Sequence, residues 1–455
     1  MPAVSELRNR FSSAQALRVL RFGALTLLAL EVLAFVGGAA GAAPRRTFYV
    51  NRSAASCSDS ARSGSAARPF CTISAAAAQA TAGVTVRVAK GTYRGRVKVR
   101  ASGTERRPIV FTAAPGAKVV ITGGENGFSL SGTNWIRITG FTITHTVEYG
   151  ISVEDASYVT LSDNRVRYAG RAATGRAKYG IRLENVKHSL IARNVVDHNT
   201  NSGIALVDGS RLNNITGNET FANAKRYERA AAGIHLYASP RNVVTRNISH
   251  DNEDSGIDLN HAVDNVVSNN VSYDNGDHGV DVTGGSARAQ VVANSIYGNV
   301  TAGINVEGDS KGVTIANNVS IQNGVGSPRT KSNIRVDASS VPGSSLDYDI
   351  VSVEGGQGVL LIWNSVSYTS LAALKAKGQE PHGLQADPRW KDAANGDFHL
   401  TADSPAIDSA TSLVRSQPRA DINRTERTDD PDTPNTGAGP RLYDDRGAFE
   451  FREHT

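Results

Sequence analysis

Residues 261–284 read HAVDNVVSNNVSYDNGDHGVDVTG. Three short β-rich pieces are separated by Asn or Gly turns, and no helical periodicity runs between them. The last piece, HGVDVT at 278–283, is one member of a series: YGISVE at 149–154, YGIRLE at 179–184, SGIALV at 202–207, AGIHLY at 232–237, SGIDLN at 255–260 and AGINVE at 302–307. Their glycines, at 150, 180, 203, 233, 256, 279 and 303, are spaced by 30, 23, 30, 23, 23 and 24 residues, so the unit is about 23 residues with insertions of six or seven. A second register shares the period: Asn194, Asn218, Asn247, Asn270, Asn294 and Asn318 each have another Asn five residues later. A unit of this size buries no core alone, whereas stacked units bury a continuous one. The reading is all-β, a parallel β-helix.

In such a stack each Asn has a physical task. At a tight bend its amide can bond the backbone and the same amide one coil above and below, which satisfies polar groups at a buried corner. The NIT, NET, NIS, NVS and NVT sequons are accordingly read as structural rather than glycosylated.

Composition agrees with repetition. The chain has 455 residues, 40% hydrophobic and only 6% aromatic, with 44 glycines, which disfavours a core of large rings. Residues 1–43 are set aside as a secretory signal, because Arg8, Arg10, Arg18 and Arg21 precede an apolar run ending in small residues. The mature protein is expected to be secreted, with no stable membrane insertion and a net charge of about +4, a surplus compatible with an acidic polymer and not diagnostic of nucleic acid. Cys57 and Cys71, the only cysteines, bracket a Ser/Ala-rich loop in an exported chain and predict one disulfide. Residues 44–130 read as an N-terminal cap and first coils, with an Ala-rich helix at 74–82 over the open end. Residues 131–368 are the repeats. Residues 369–455 hold a helix in SLAALKAKGQ, stopped by Gly378, and then a Pro/Asp-rich tail.

Two neighbouring segments crowd negative charge: DNEDSGIDLNH at 251–261 and DNGDHGVDVTGG at 274–285. In the repeat the Ile or Val after Gly points inward and the next residue points out, giving an outward column Ser152, Arg182, Ala205, His235, Asp258, Asp281, Asn305, Arg335. Coils lie about 4.8 Å apart, so Asp258 and Asp281 are expected to stack, with Asp254 and Asp277 four residues before them. Like charges at that spacing need a neutraliser. Calcium would suit Asp254, Asp258, Asp277, Asp281 and Glu253, with Asn260 nearby. A shared proton would suit a carboxylate pair in glycoside hydrolysis, and Arg182, Arg335 or His278 would simply offset the charge.

The segments YVN, PFCTI, VRVAKGTYRG and PIVFTAAPGAKVVITGG resemble the opening of polysaccharide lyase family 9, and LQADPRWKDAANGDFHLTADSPAIDSA with DDRGAFEF is similar to a segment ending many right-handed parallel β-helix chains. The resemblance implies that fold, a calcium ion on DSGID (254–258) and β-elimination on a uronate such as pectate. The lysine that serves that family as base is replaced by Asp281 in GVDVTGG, or by Asn305 one coil later. Candidate bases near the acids are therefore His278, His235 and Lys311, the alternative being groove-lining residues or, for Lys311, plain surface. Tyr179, Arg182, Tyr237 and Arg335 are candidate substrate contacts, and the insertion ANAKRYERAA (222–231) could wall the groove or be a solvated loop tip. The expected function is a monomeric, secreted, calcium-dependent polysaccharide lyase. The alternatives are a C5-epimerase or glycoside hydrolase on a polyuronate, or a non-catalytic carbohydrate-binding solenoid.

Overall fold

A computed structural model describes residues 46–453 apart from 171–177, 226–230, 328 and 357. The segment read as a secretory signal, residues 1–43, and most of the insertion's tip lie outside the described residues. From residue 46 onward the chain winds through coils that each give one short strand to each of three 12-stranded sheets. The first sheet holds the Gly-Ile strands, among them Ile181–Glu184, Ile204–Val207, Ile234–Tyr237, Ile257–Asn260, Val280–Thr283 and Ile304–Val306. The second holds strands such as Val243–Thr245, Val266–Ser268 and Gln290–Val292, and the third strands such as Ile248–His250, Val271–Tyr273 and Ser295–Tyr297. Neighbours in sequence of coils pair in parallel with no slip, Ile257 opposite Val280 and Leu259 opposite Val282. The fold is a right-handed parallel β-helix, the hand that parallel crossovers take.

The recurrent glycine is required by close approach. A Cβ on Gly256 would lie 2.0 Å from Ser272 Oγ, and one on Gly279 would lie 2.6 Å from the Gly303 carbonyl oxygen, so no side chain fits where the chain enters the first sheet. Inside, Ile257, Leu259, Val267, Val280, Val282, Val291 and Ile304 are fully buried in continuous stacks. At the N-terminal end larger rings fill the bore, with Phe128 edge-on to both Phe111 and Phe141.

Both asparagine registers form ladders. Asn247 Nδ2 donates to the Ile215 carbonyl (2.9 Å) and to Asn270 Oδ1 (3.0 Å), while the Asn247 backbone N–H donates to the same Asn270 oxygen (2.9 Å). The pattern repeats from Asn164 to Asn318, where Asp349 takes the last place and accepts from both Asn318 groups. The second ladder runs from Asn199 to Asn333. One sequon departs from this reading. Asn214 of NIT is exposed on the second sheet, because its neighbour Asn213 occupies the ladder and bonds Asn242.

The N-terminal helix spans Ile73–Gln79 rather than 74–82. Thr72 caps it, and Ala80 turns extended to feed strand Thr85–Val88. Its Ile73, Ala76 and Ala77 are buried over the first coil. Cys57 and Cys71 form a disulfide. The second helix is Leu371–Lys375, with Gly378 left-handed (φ 76°) beyond it. The tail then lies across several coils: Arg246 Nε donates to the Asp421 carbonyl (3.0 Å), Asn269 Nδ2 to that of Ala420 (2.6 Å) and Asn317 Nδ2 to that of Thr411 (2.9 Å). No described helix is long and apolar enough to cross a membrane.

Candidate functional site

Strand register builds the site. Pairing along the first sheet sets Arg182 opposite Ala205, Ala205 opposite His235, His235 opposite Asp258, Asp258 opposite Asp281, Asp281 opposite Asn305 and Asn305 opposite Arg335. Alternation along each strand then turns all of these side chains away from the bore. His235 Nδ1 and Asp258 Oδ2 are 2.7 Å apart, with both side chains mostly buried. Since an ionised carboxylate only accepts, Nδ1 is the donor and Nε2 is left with a lone pair.

The other carboxylates meet protein donors around this dyad. Asp281 Oδ1 accepts from Asn305 Nδ2 (2.8 Å), and Asp277 Oδ1 accepts from Thr301 Oγ1 (2.5 Å) and from Arg329 (2.8 Å). Burial, then the charges of Asp277 and Asp258, push Asp254 up to about 7. Burial and the charge of Asp258 hold Asp281 well above the usual carboxylate range. Asp277 goes the other way: burial works to raise it, but His278, the Thr301 hydroxyl and Arg329 bring it below its ordinary value. Stacking without enough cation thus forces protons onto part of the cluster.

Calcium can be tested against this arrangement. Asp258 Oδ1 is buried with no hydrogen-bond partner, and hard carboxylate oxygens are what calcium takes. The donor chemistry fits. Among the described residues, however, no three His, Cys, Asp or Glu side chains converge as a cage, since Asp258, Asp277 and Asp281 are turned to His235, Thr301 and Asn305. Binding there needs Asp277 and Asp281 to exchange partners, while Asp258 can offer Oδ1 and keep Oδ2 on His235.

The remaining candidates fall in different places. His278 is buried: its Nδ1 lies 2.6 Å from Thr301 Oγ1 and 3.3 Å from the Ala302 carbonyl, and burial lowers its pKa. Lys311 pairs with Asp309 (2.7 Å) on an exposed turn, its carbonyl accepting from the Arg288 backbone N–H (2.8 Å), and no described contact joins it to the carboxylate cluster. Glu253 sits half-buried in the turn leading to strand Ile257–Asn260. Tyr179, Arg182, Tyr237 and His235 line one groove of about 390 Å³, together with Tyr149 and Asp208. Burial raises the Tyr179 hydroxyl. Arg182 is held between Glu154 (3.1 Å) and Glu184, and Arg335 by Glu307 (2.5 Å) and Asn305 (2.7 Å), so neither presents an uncommitted fork.

Sequence reasoning missed Glu154 and Glu184, though both stand two residues after the outward column in ISVE and IRLE. It also missed Arg329, which lies in a non-periodic insertion.

With this geometry in place, comparison with known proteins fixes the lineage. The family described as Pel9A-like, right-handed β-helix region, matches residues 49–335. The chain belongs to this family. YwoF of Bacillus subtilis strain 168, described as uncharacterized, is 26% identical, over 75% of this chain and 89% of its own. Pectate lyase Pel9A superposes with a TM-score of 0.56 at 17% identity, over 90% of this chain and 96% of that one. XylC in complex with xylose gives 0.51 at 16%, over 68% and 76%. At these identities the superpositions speak for the fold.

Proposed function

We propose that this Pel9A-like protein is a polysaccharide lyase that cleaves a uronate-containing chain by β-elimination in the groove beside His235. The observation that carries the reading is the His235–Asp258 pair, 2.7 Å apart, on the wall of a groove lined by tyrosines. Asp258 orients the imidazole through Nδ1 and leaves Nε2 toward the groove. His235 Nε2 takes the C5 proton of the sugar, the C–H electron pair becomes the C4–C5 double bond, and the C4–O bond breaks. The leaving oxygen then takes up a proton, from solvent or from a groove hydroxyl. Tyr179 and Tyr237 give the sugar ring apolar faces with a polar tip.

Charge bears on the substrate. Glu154, Glu184 and Asp208 stand with Arg182 around this groove, so it is acidic and an anionic chain needs a bridging cation there. Asp254, Asp258, Asp277 and Asp281 would hold calcium, which when bound supplies charge withdrawal from the substrate carboxylate. The acid excess also favours a second reading, a neutral polymer. The disulfide supports export.

The test is incubation of the purified protein with pectate, alginate and a neutral xylan, with calcium or with chelator. Chelator-sensitive absorbance from unsaturated uronides is the expected result. New reducing ends without that chromophore would replace elimination by hydrolysis, and no product from any polymer would refute catalysis.

A further inference from the structure

A second groove, of about 780 Å³, runs along the second sheet, away from the His235 groove. Its floor is made of short outward side chains, Val243 and Thr245 on one coil and Val266 and Ser268 on the next, with Asn214 and Gln290 on the flanking coils. Four coils at about 4.8 Å spacing make a floor about 14 Å long. One wall is the turn column carrying Arg241 and Arg288. The other is the C-terminal tail at Arg415, Ser416 and Pro418, seated where Ser416 bonds Gln290 and where Asn317 Nδ2 bonds Gln417 Oε1 (2.8 Å). The tail therefore makes a trough out of an otherwise flat sheet.

The charge of the trough is one-sided. Among the described residues its one lining carboxylate, Asp264, is taken by Arg288 through two bonds of 2.6 and 2.9 Å. Arg241, Arg246 and Arg415 remain in surplus, with Arg241 and Arg415 exposed on opposite walls. Guanidinium forks spaced along a channel suit carboxylates repeated along an extended chain. Among the described residues no aromatic ring lines the trough, so nucleobases would have nothing to stack on, whereas the Val243 and Val266 floor accepts the apolar faces of sugars.

We propose that this trough is a second binding site, non-catalytic, for a carboxylate-bearing polysaccharide, holding the polymer on the protein independently of the His235 groove. It stands on its own geometry and does not require that groove to run an elimination.

Fluorescence anisotropy tests it, with labelled oligogalacturonate and oligoalginate titrated against wild type and the double variant Arg241→Ser/Arg415→Ser. Both positions are exposed, so the melting temperature should be unchanged, and if it falls the single variant Arg241→Gln replaces the pair. The double variant should weaken long-oligomer binding about tenfold, with a shallower salt dependence, while any cleavage of short oligomers stays at the wild-type rate. Unchanged affinity in the variant would overturn the proposal. So would tighter binding of a labelled single-stranded DNA that both arginines control, which would assign the trough to nucleic acid. A protein that binds through the trough but yields no unsaturated product would refute the lyase reading alone.

Discussion

Two regions of this solenoid bury carboxylates, and they treat them differently. In the C-terminal tail the acids are interleaved with buried guanidinia. Arg427 bonds Glu450 (2.9 Å) with both side chains fully buried, Arg441 takes Asp444 (2.7 Å), and Arg446, 3% exposed, lies over the Tyr348 ring with the Asp349–Glu380 pair beside it. On the first sheet, Asp254, Asp258, Asp277 and Asp281 stand in two adjacent coils and share Arg329 with two imidazoles. Tail acids lie against buried guanidinia that fasten the tail to the coils, Glu450 and Asp445 sharing Arg427. Groove acids gather four carboxylates around the single guanidinium of Arg329 at the surface of the first sheet, an arrangement suited to a site for a cation or a proton.

The comparison can be broken at several points. The largest expected change in stability comes from Arg427→Ala, which strands Glu450 and Asp445 in the interior. A loss of about 3–5 kcal/mol in denaturant unfolding is expected, and a loss within error would mean that the tail's charges are not matched as described. Asn247→Ala removes the acceptor for two Asn218 donors and should cost about 1–3 kcal/mol by the same measurement. Asp281→Asn relieves repulsion by Asp258 and should raise the melting temperature without calcium by a few degrees, the reverse of the tail variants. A clear fall would show that the groove acids serve the fold.

The smallest effect is on pH dependence. Burial raises Glu450 from an ordinary 4.5 to about 7 and Asp349 from 3.8 to about 6. Protons are thus held more tightly in the folded than in the unfolded state, so this contribution to stability is full below the unfolded values and is lost as pH rises toward about 7. The melting temperature should decline across that window, and Glu450→Gln should flatten the decline.

Much of the fold was legible because its determinants are periodic. Gly256 and Gly279 recur where no Cβ fits, and Asn247 and Asn270 recur where an amide must bond its copy in the next coil. The outward column followed from the same period, which is why His235, Asp258 and Asp281 could be aligned from sequence alone. What was hidden is aperiodic. Arg329 reaches Asp277 from an insertion, and the tail's placement rests on single contacts such as Asn269 to Ala420. The commitment of Arg182 to two glutamates needed side-chain geometry, since a guanidinium's charge says nothing about which acids already hold it.

The central claim is that the His235–Asp258 pair is a working base in a polysaccharide groove. Its most direct test is the initial rate of unsaturated-uronide formation by His235→Ala on whichever polyuronate the wild type cleaves. The rate should fall about 10²–10⁴-fold, the share that a positioned general base supplies, in a protein that remains folded at the assay temperature. A His235→Ala protein that cleaves at the wild-type rate would contradict the account.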